Sequence, residues 1–129
     1  MVNEKQRPLS PHASIYRPPA AMMTSIIHRF TAIAMSMTGM PLLVWWLWSL
    51  SEGPTSYAQF SGFAASWLGT YILFGLSWCL FQHLASGIRH LVMDIGAGYA
   101  LKAARYGALA TFAASTLMTL GFWTLLALK

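Results

Sequence analysis

HLASGIRHLVMD, residues 83–94, decides how this chain is read. It ends an uncharged run that begins after Glu52, and it packs His83, Gly87, Arg89, His90 and Asp94 into a short polar-tipped segment. As a helix it sets His83, Gly87 and His90 on one face, at i, i+4 and i+7. His83 then lies roughly 10 Å deeper along the axis than His90, at about 1.5 Å per residue. Gly87 has no side chain, so a flat, bulky group could lie against the backbone there. Arg89, His90 and Asp94 mark the polar boundary. A porphyrin needs such a pattern: a nitrogen at depth, bare backbone beside it, cations near the surface. A hydrogen-bonded packing histidine fits the same spacing, and spacing alone leaves both open.

The composition makes this a membrane protein. Of its 129 residues 57% are hydrophobic and 9% charged, where a soluble domain carries near a quarter charged residues. Eight Lys or Arg against three Asp or Glu give a net charge of +5. In a membrane chain that excess reports topology, not nucleic acid. One cysteine, Cys79, makes no internal disulfide and reads as a small buried hydrophobe. No Cys cluster could hold zinc or an iron–sulfur centre. Nothing resembles a catalytic triad, a phosphate-binding glycine loop or a paired-carboxylate site.

The fold class expected is all-α: three transmembrane helices forming part of a larger bundle. Residues 1–21 are polar and proline-rich and lack the pattern of a signal or transit peptide. They read as an irregular arm on the inner surface that docks on a soluble partner. The first span is placed at about 22–50, with residues 30–51 uncharged and long enough to cross the hydrocarbon. Pro41 should kink it, and Trp45, Trp46 and Trp48 suit an interfacial belt. Residues 52–62 read as a loop. The second span is placed at about 63–94, residues 95–104 as a turn region, and the third span at about 105–128. Gly69, Gly75, Ser77, Gly107, Ala110, Ala113 and Ala114 would allow close helix contacts.

Lys5, Arg7, Arg17 and Arg29 lie before the uncharged stretch of the first span, and Arg89, Lys102 and Arg105 flank the second connection. The first loop has no Lys or Arg. The N-terminus is therefore expected inside and the C-terminus outside, with Lys129 the one exception. This puts Ser25, His28 and Arg29 at the same depth as Arg89 and His90. Ser25 and Arg29 share a helix face. A hydroxyl and a guanidinium there could hold a quinone carbonyl and stabilise the charge of its reduction; Arg29 could equally be a snorkelling anchor. Among the histidines only His83 is deep enough for a mid-leaflet axial ligand. A second haem ligand is more simply supplied by another subunit than by one of the eight methionines.

These residues resemble a known family. SIIHRFT at residues 25–31, preceded by RPLSPH at 7–12 and IYR at 15–17, resembles the first signature of the succinate dehydrogenase cytochrome b subunit. HLASGIRHLVMDIG at 83–96 resembles the second. The resemblance covers nearly the whole chain. It departs at Ala13, where Leu is commoner, and at Ala32, where Gly is frequent; both put packing in question, not chemistry. The resemblance implies a membrane anchor subunit for a flavoprotein and an iron–sulfur protein, alongside a second small anchor subunit. Succinate is then oxidised at FAD in one partner, and electrons pass through iron–sulfur clusters to ubiquinone. It implies His83 as an axial ligand of haem b iron, with the other His from the second anchor. Ser25 and Arg29 match the quinone-binding pair, and His28, Arg29 and His90 the haem propionate region. The succinate-oxidising site is not expected in this chain. A bacterial inner membrane is the expected location, or a mitochondrial one if the chain is organelle-encoded. Three rivals make different predictions. A proton-path transporter component has no haem, a purely structural anchor assembles without it, and a di-haem cytochrome b needs more deep histidines.

Overall fold

The computed structural model describes residues 11–129, and the described residues form helices and turns without strands. Residues 1–10 of the expected surface arm, with Lys5 and Arg7, lie outside the described residues. The rest of the arm makes a short turn at His12–Ser14 and continues without regular structure to Pro19, which is extended.

The first long helix is continuous from Ala20 to Glu52. It consists of α1 (Ala20–Ala34), a widened turn at Met35–Gly39, and α2 (Met40–Glu52). Pro41 explains the widening. It has no N–H, and its ring would collide with the carbonyl four residues back. The Met40 N–H instead reaches Met35 O, one residue beyond the usual partner. The chain meets the expected strain at Pro41 by inserting a residue into the turn before it.

Residues 52–62 are not the loop that their Gly, Pro and Ser suggest. Only a short break at Gly53 (φ +104°) separates α2 from α3 (Pro54–Ala65). Glycine tolerates that dihedral, and Pro54 opens the new helix where a missing N–H costs nothing. The turn signals mark a junction, not a connection. Trp45 of α2 packs on Phe60 and Phe63 of α3, with ring centroids 5.1 and 5.2 Å apart.

The second long helix, α4, starts later than expected, at Trp67, and ends at Asp94. Ser66 caps it, its hydroxyl oxygen accepting from Gly69 N–H at 3.1 Å. Its C-terminus closes on Gly96 (φ +85°): Gly96 N–H bonds Met93 O at 2.9 Å and Ala97 N–H bonds Val92 O at 3.2 Å. The turn is shorter than read, because α5 begins at Leu101 and runs to Ala127. The three long helices are apolar and long enough to cross a membrane.

α4 packs against both α1 and α5, most extensively against α5, and α1 also touches α5. The interior is polar. Among the described residues the buried set is Thr24, Thr31, Ser49, Gln82, Ser86, Thr111, Ser115 and Thr119, together with Gly69 and with Ala108 as the one buried hydrophobe. Leu, Ile and Phe side chains point outward, as in Phe30, Leu84, Leu117 and Leu125. Lipid is as apolar as leucine, so helix association rests on close packing and interhelical hydrogen bonds. On α5 the inward face is Ala108, Thr111, Ser115 and Thr119, whereas Ala110 and Ala113, expected at the contact, face out.

Candidate functional site

α1 and α4 meet at His28 and His83. The two imidazoles are stacked, with centroids 4.0 Å apart and planes 10° from parallel. His90, two turns further along α4, has its centroid 5.1 Å from that of His28. His28 and His90, expected at the boundary, and His83, expected deeper, therefore form one cluster, and the contact puts the start of α1 beside the end of α4.

The sequence does not foretell how His83 is held. Its Nδ1 lies 3.2 Å from the His28 carbonyl oxygen and 3.1 Å from Thr31 Oγ1. A carbonyl only accepts, so Nδ1 carries the proton and Nε2 the lone pair. The Thr31 hydroxyl donates to the same His28 carbonyl at 2.8 Å, which leaves its oxygen as the second acceptor for Nδ1–H. Histidines that bind metals commonly have their other ring nitrogen held in this way, which fixes tautomer and ring plane. The donor chemistry of His83 thus fits a haem iron: an imidazole anchored at Nδ1, with Nε2 uncommitted and, in the neutral form, carrying the lone pair.

Gly87 faces the cluster, but its open side is not bare space. A Cβ built there would stand 3.8 Å from His28 Nε2, so the flat group against this backbone is the His28 ring. Ser86, one turn along from Gln82 and His83, is fully buried, and its Oγ has no hydrogen-bond partner among the described residues. Other buried hydroxyls bond back to their own helix, as Thr24 does to Ala20 O and Thr119 to Ser115 O. An unpartnered buried hydroxyl costs about 1–3 kcal/mol.

Ser25 and Arg29 sit apart from the histidines. Ser25 is half-buried and Arg29 exposed, and neither side chain has a partner among the described residues. His28 turns inward to α4 while its neighbour Arg29 turns outward. Arg89 is half-buried, with its side chain lying along Gly107 of α5; a Cβ there would stand 3.7 Å from Arg89 Nε.

Sequence reasoning gave no role to Thr31 or Gln82. Thr31 lies three residues after His28 and so shares its face. Gln82 is an amide inside an apolar run, a costly residue at membrane depth. Gln82 is fully buried. Its Oε1 accepts from Ser115 Oγ at 2.7 Å and its Nε2 donates to Thr111 Oγ1 at 3.4 Å.

Comparison with known proteins shows the family of the chain. A family model described as succinate dehydrogenase/fumarate reductase transmembrane subunit matches residues 3–122. The chain is 40% identical over 117 residues to the succinate dehydrogenase cytochrome b556 subunit of Paracoccus denitrificans, covering 91% of this chain and 89% of the relative. It is 37% identical over 118 residues to the same subunit of Rickettsia prowazekii, covering 92% and 91%. The cytochrome b560 subunit of Reclinomonas americana is 38% identical over 105 residues, covering 74% and 68%. On these matches the chain belongs to the succinate dehydrogenase/fumarate reductase transmembrane subunit family, as a multi-pass membrane anchor.

Proposed function

We propose that this chain is the haem b-binding anchor of a succinate dehydrogenase and helps pass electrons from succinate to ubiquinone. FAD and the iron–sulfur clusters belong to a flavoprotein subunit and an iron–sulfur subunit. A second small membrane anchor subunit would supply the other ligand to the iron. The observation that carries the reading is the pinned imidazole of His83, with Nδ1–H committed to His28 O and Thr31 Oγ1 and Nε2 left for iron. When bound, haem b supplies a one-electron centre within the membrane. His83 ligates it. His28 and His90, gathered at the same end of the helices, offer N–H donors to its propionates, as Arg29 would from the boundary.

Ser25 and Arg29 form the quinone-holding pair. The Ser25 hydroxyl donates to a quinone carbonyl oxygen, and the Arg29 guanidinium stabilises the negative charge that grows there on reduction. Their lack of partners within the described chain supports an external ligand. The basic residues at this end favour an N-terminus on the inside, and protons reach the site from the inner aqueous side. The membrane is a bacterial inner membrane, or a mitochondrial one for an organelle-encoded chain.

The test is a reduced-minus-oxidised absorption spectrum of the purified complex beside His83→Leu. A sharp b-type band that is lost or shifted in the variant supports ligation by His83. A parent complex without the band makes the chain a haem-free anchor. Arg29→Ala is expected to abolish quinone reduction and inhibitor sensitivity while sparing succinate oxidation by a soluble acceptor. Unchanged quinone reduction would overturn the Arg29 assignment.

A further inference from the structure

We propose that Gln82 is a positioning residue for His83: its buried hydrogen bonds to Ser115 and Thr111 set the rotation of α4 and so aim the imidazole. This rests on the haem reading of His83 given above.

The argument starts from what can orient a helix in lipid. Leucine and phenylalanine side chains lose nothing by facing acyl chains, so apolar pattern alone does not fix the rotation of a membrane helix. Small surfaces and polar contacts do. Gln82 is the largest fully buried side chain among the described residues. An amide buried without partners costs several kcal/mol in hydrocarbon, so α4 is held in the rotation that satisfies it.

The hydrogen bonds run in one consistent direction. Thr111 Oγ1 donates to Ala108 O at 2.8 Å, so its oxygen remains to accept from Gln82 Nε2. Ser115 Oγ points its proton to Gln82 Oε1 at 2.7 Å, a shorter contact than its own Phe112 O at 3.0 Å. Neither α5 hydroxyl could swap roles without leaving the amide short of a partner.

Gln82 and His83 are consecutive, so they leave the α4 axis about 100° apart at nearly the same height. One reaches α5 and the other α1, where His28 O and Thr31 Oγ1 take its Nδ1–H. Two polar anchors at one level, on different sides of the axis, leave α4 no free rotation there. The α1 contact alone fixes the tautomer. The α5 contact fixes the direction of the Cα–Cβ bond from which the ring hangs.

The test uses the whole complex with Gln82→Leu, Ser115→Ala, their double variant, and Thr119→Val as a control on the same α5 face. The readouts are haem content and the low-field electron paramagnetic resonance feature of the oxidised haem, which responds to the plane of the axial imidazole. The expected result is a shifted feature in both single variants at full haem content. The double variant should shift no further than the larger single, because both remove one interaction, and Thr119→Val should match the parent. Assembled Gln82→Leu and Ser115→Ala complexes with the parent's feature overturn the proposal. Should Gln82→Leu fail to assemble, Ser115→Ala, which trims one oxygen from a different helix, still decides it. A parent complex without haem, or a feature that survives in His83→Leu, overturns the haem reading instead, and the aiming role falls with it.

Discussion

His83 owes its available nitrogen to α1, not to its own helix. The His28 carbonyl and the Thr31 hydroxyl hold Nδ1–H from across the interface, so the ring is oriented before any ligand arrives. Thr31→Val keeps the shape of the side chain and removes one of the two acceptors. Haem affinity is expected to fall roughly tenfold, within the range found when such supporting partners are lost. The check is haem retained per complex during washing with a competing apoprotein; parent-like retention would make the His28 carbonyl sufficient alone. At this scale the sequence spoke unevenly. His83, His28 and His90 stand out as ionisable residues in apolar helices. Thr31 looks like any helix-interior threonine, because its partner lies 52 residues away along the chain and no local pattern reports it. Arg29 was read beside His28, yet consecutive helical residues point apart, and here they face opposite environments.

Among the elements, α5 illustrates what pattern reading overlooks in a membrane. Alanines and glycines are the usual sign of a helix contact, but this contact runs through hydroxyls, with Thr111, Ser115 and Thr119 buried. Thr111 and Thr119 bond back to their own helix and so cost little to bury, and the Thr111 oxygen remains able to accept from a neighbour, while Ser115 donates across to Gln82. Two indoles add bonds nearer the other end: Trp78 Nε1 donates to Thr116 Oγ1 and Trp123 Nε1 to Ser77 Oγ, both at 3.3 Å. Trp123→Phe keeps the ring and loses one such bond. A cost of about 0.6 kcal/mol is expected, read as a small drop in the melting temperature of the detergent-solubilised complex. The α3–α4 corner is far less forgiving. A Cβ on Gly69 would drive into the Phe63 carbonyl, which is backbone and has no rotamer to escape into. Gly69→Ala should cost about 1–3 kcal/mol, as overpacking does, and lower the yield of assembled complex. Gly75→Ala, where a Cβ meets nothing within 4 Å, should leave that yield unchanged. Helix α3 itself was hidden in the sequence, since Gly53, Pro54 and Ser56 look like a loop and instead end one helix and open another.

For the molecule as a whole, three crossings follow from charge and hydropathy alone, and the helices agree with them. Parity then does most of the functional work. With three crossings, the start of α1 and the end of α4 share a leaflet, and only so can His28 lie against His83 and His90. Which leaflet that is depends on the basic residues. Arg29, Arg89, Lys102 and Arg105 lie at the histidine end, and no Lys or Arg occurs between Arg29 and Arg89, so this end should face the inside. Labelling with a membrane-impermeant maleimide tests it directly. Cys79→Ser removes the native thiol, and Thr55→Cys or Ala97→Cys then places one exposed thiol on each connection. In intact, right-side-out vesicles Thr55→Cys should react and Ala97→Cys should not, and permeabilisation should reverse the protection of the latter. The opposite pattern would put the histidine cluster and Arg29 at the outer face, away from subunits that deliver electrons from inside, and the quinone assignment would fail with it. Reaction of both from one side would mean that α4 does not cross, against the expectation from its length and hydropathy.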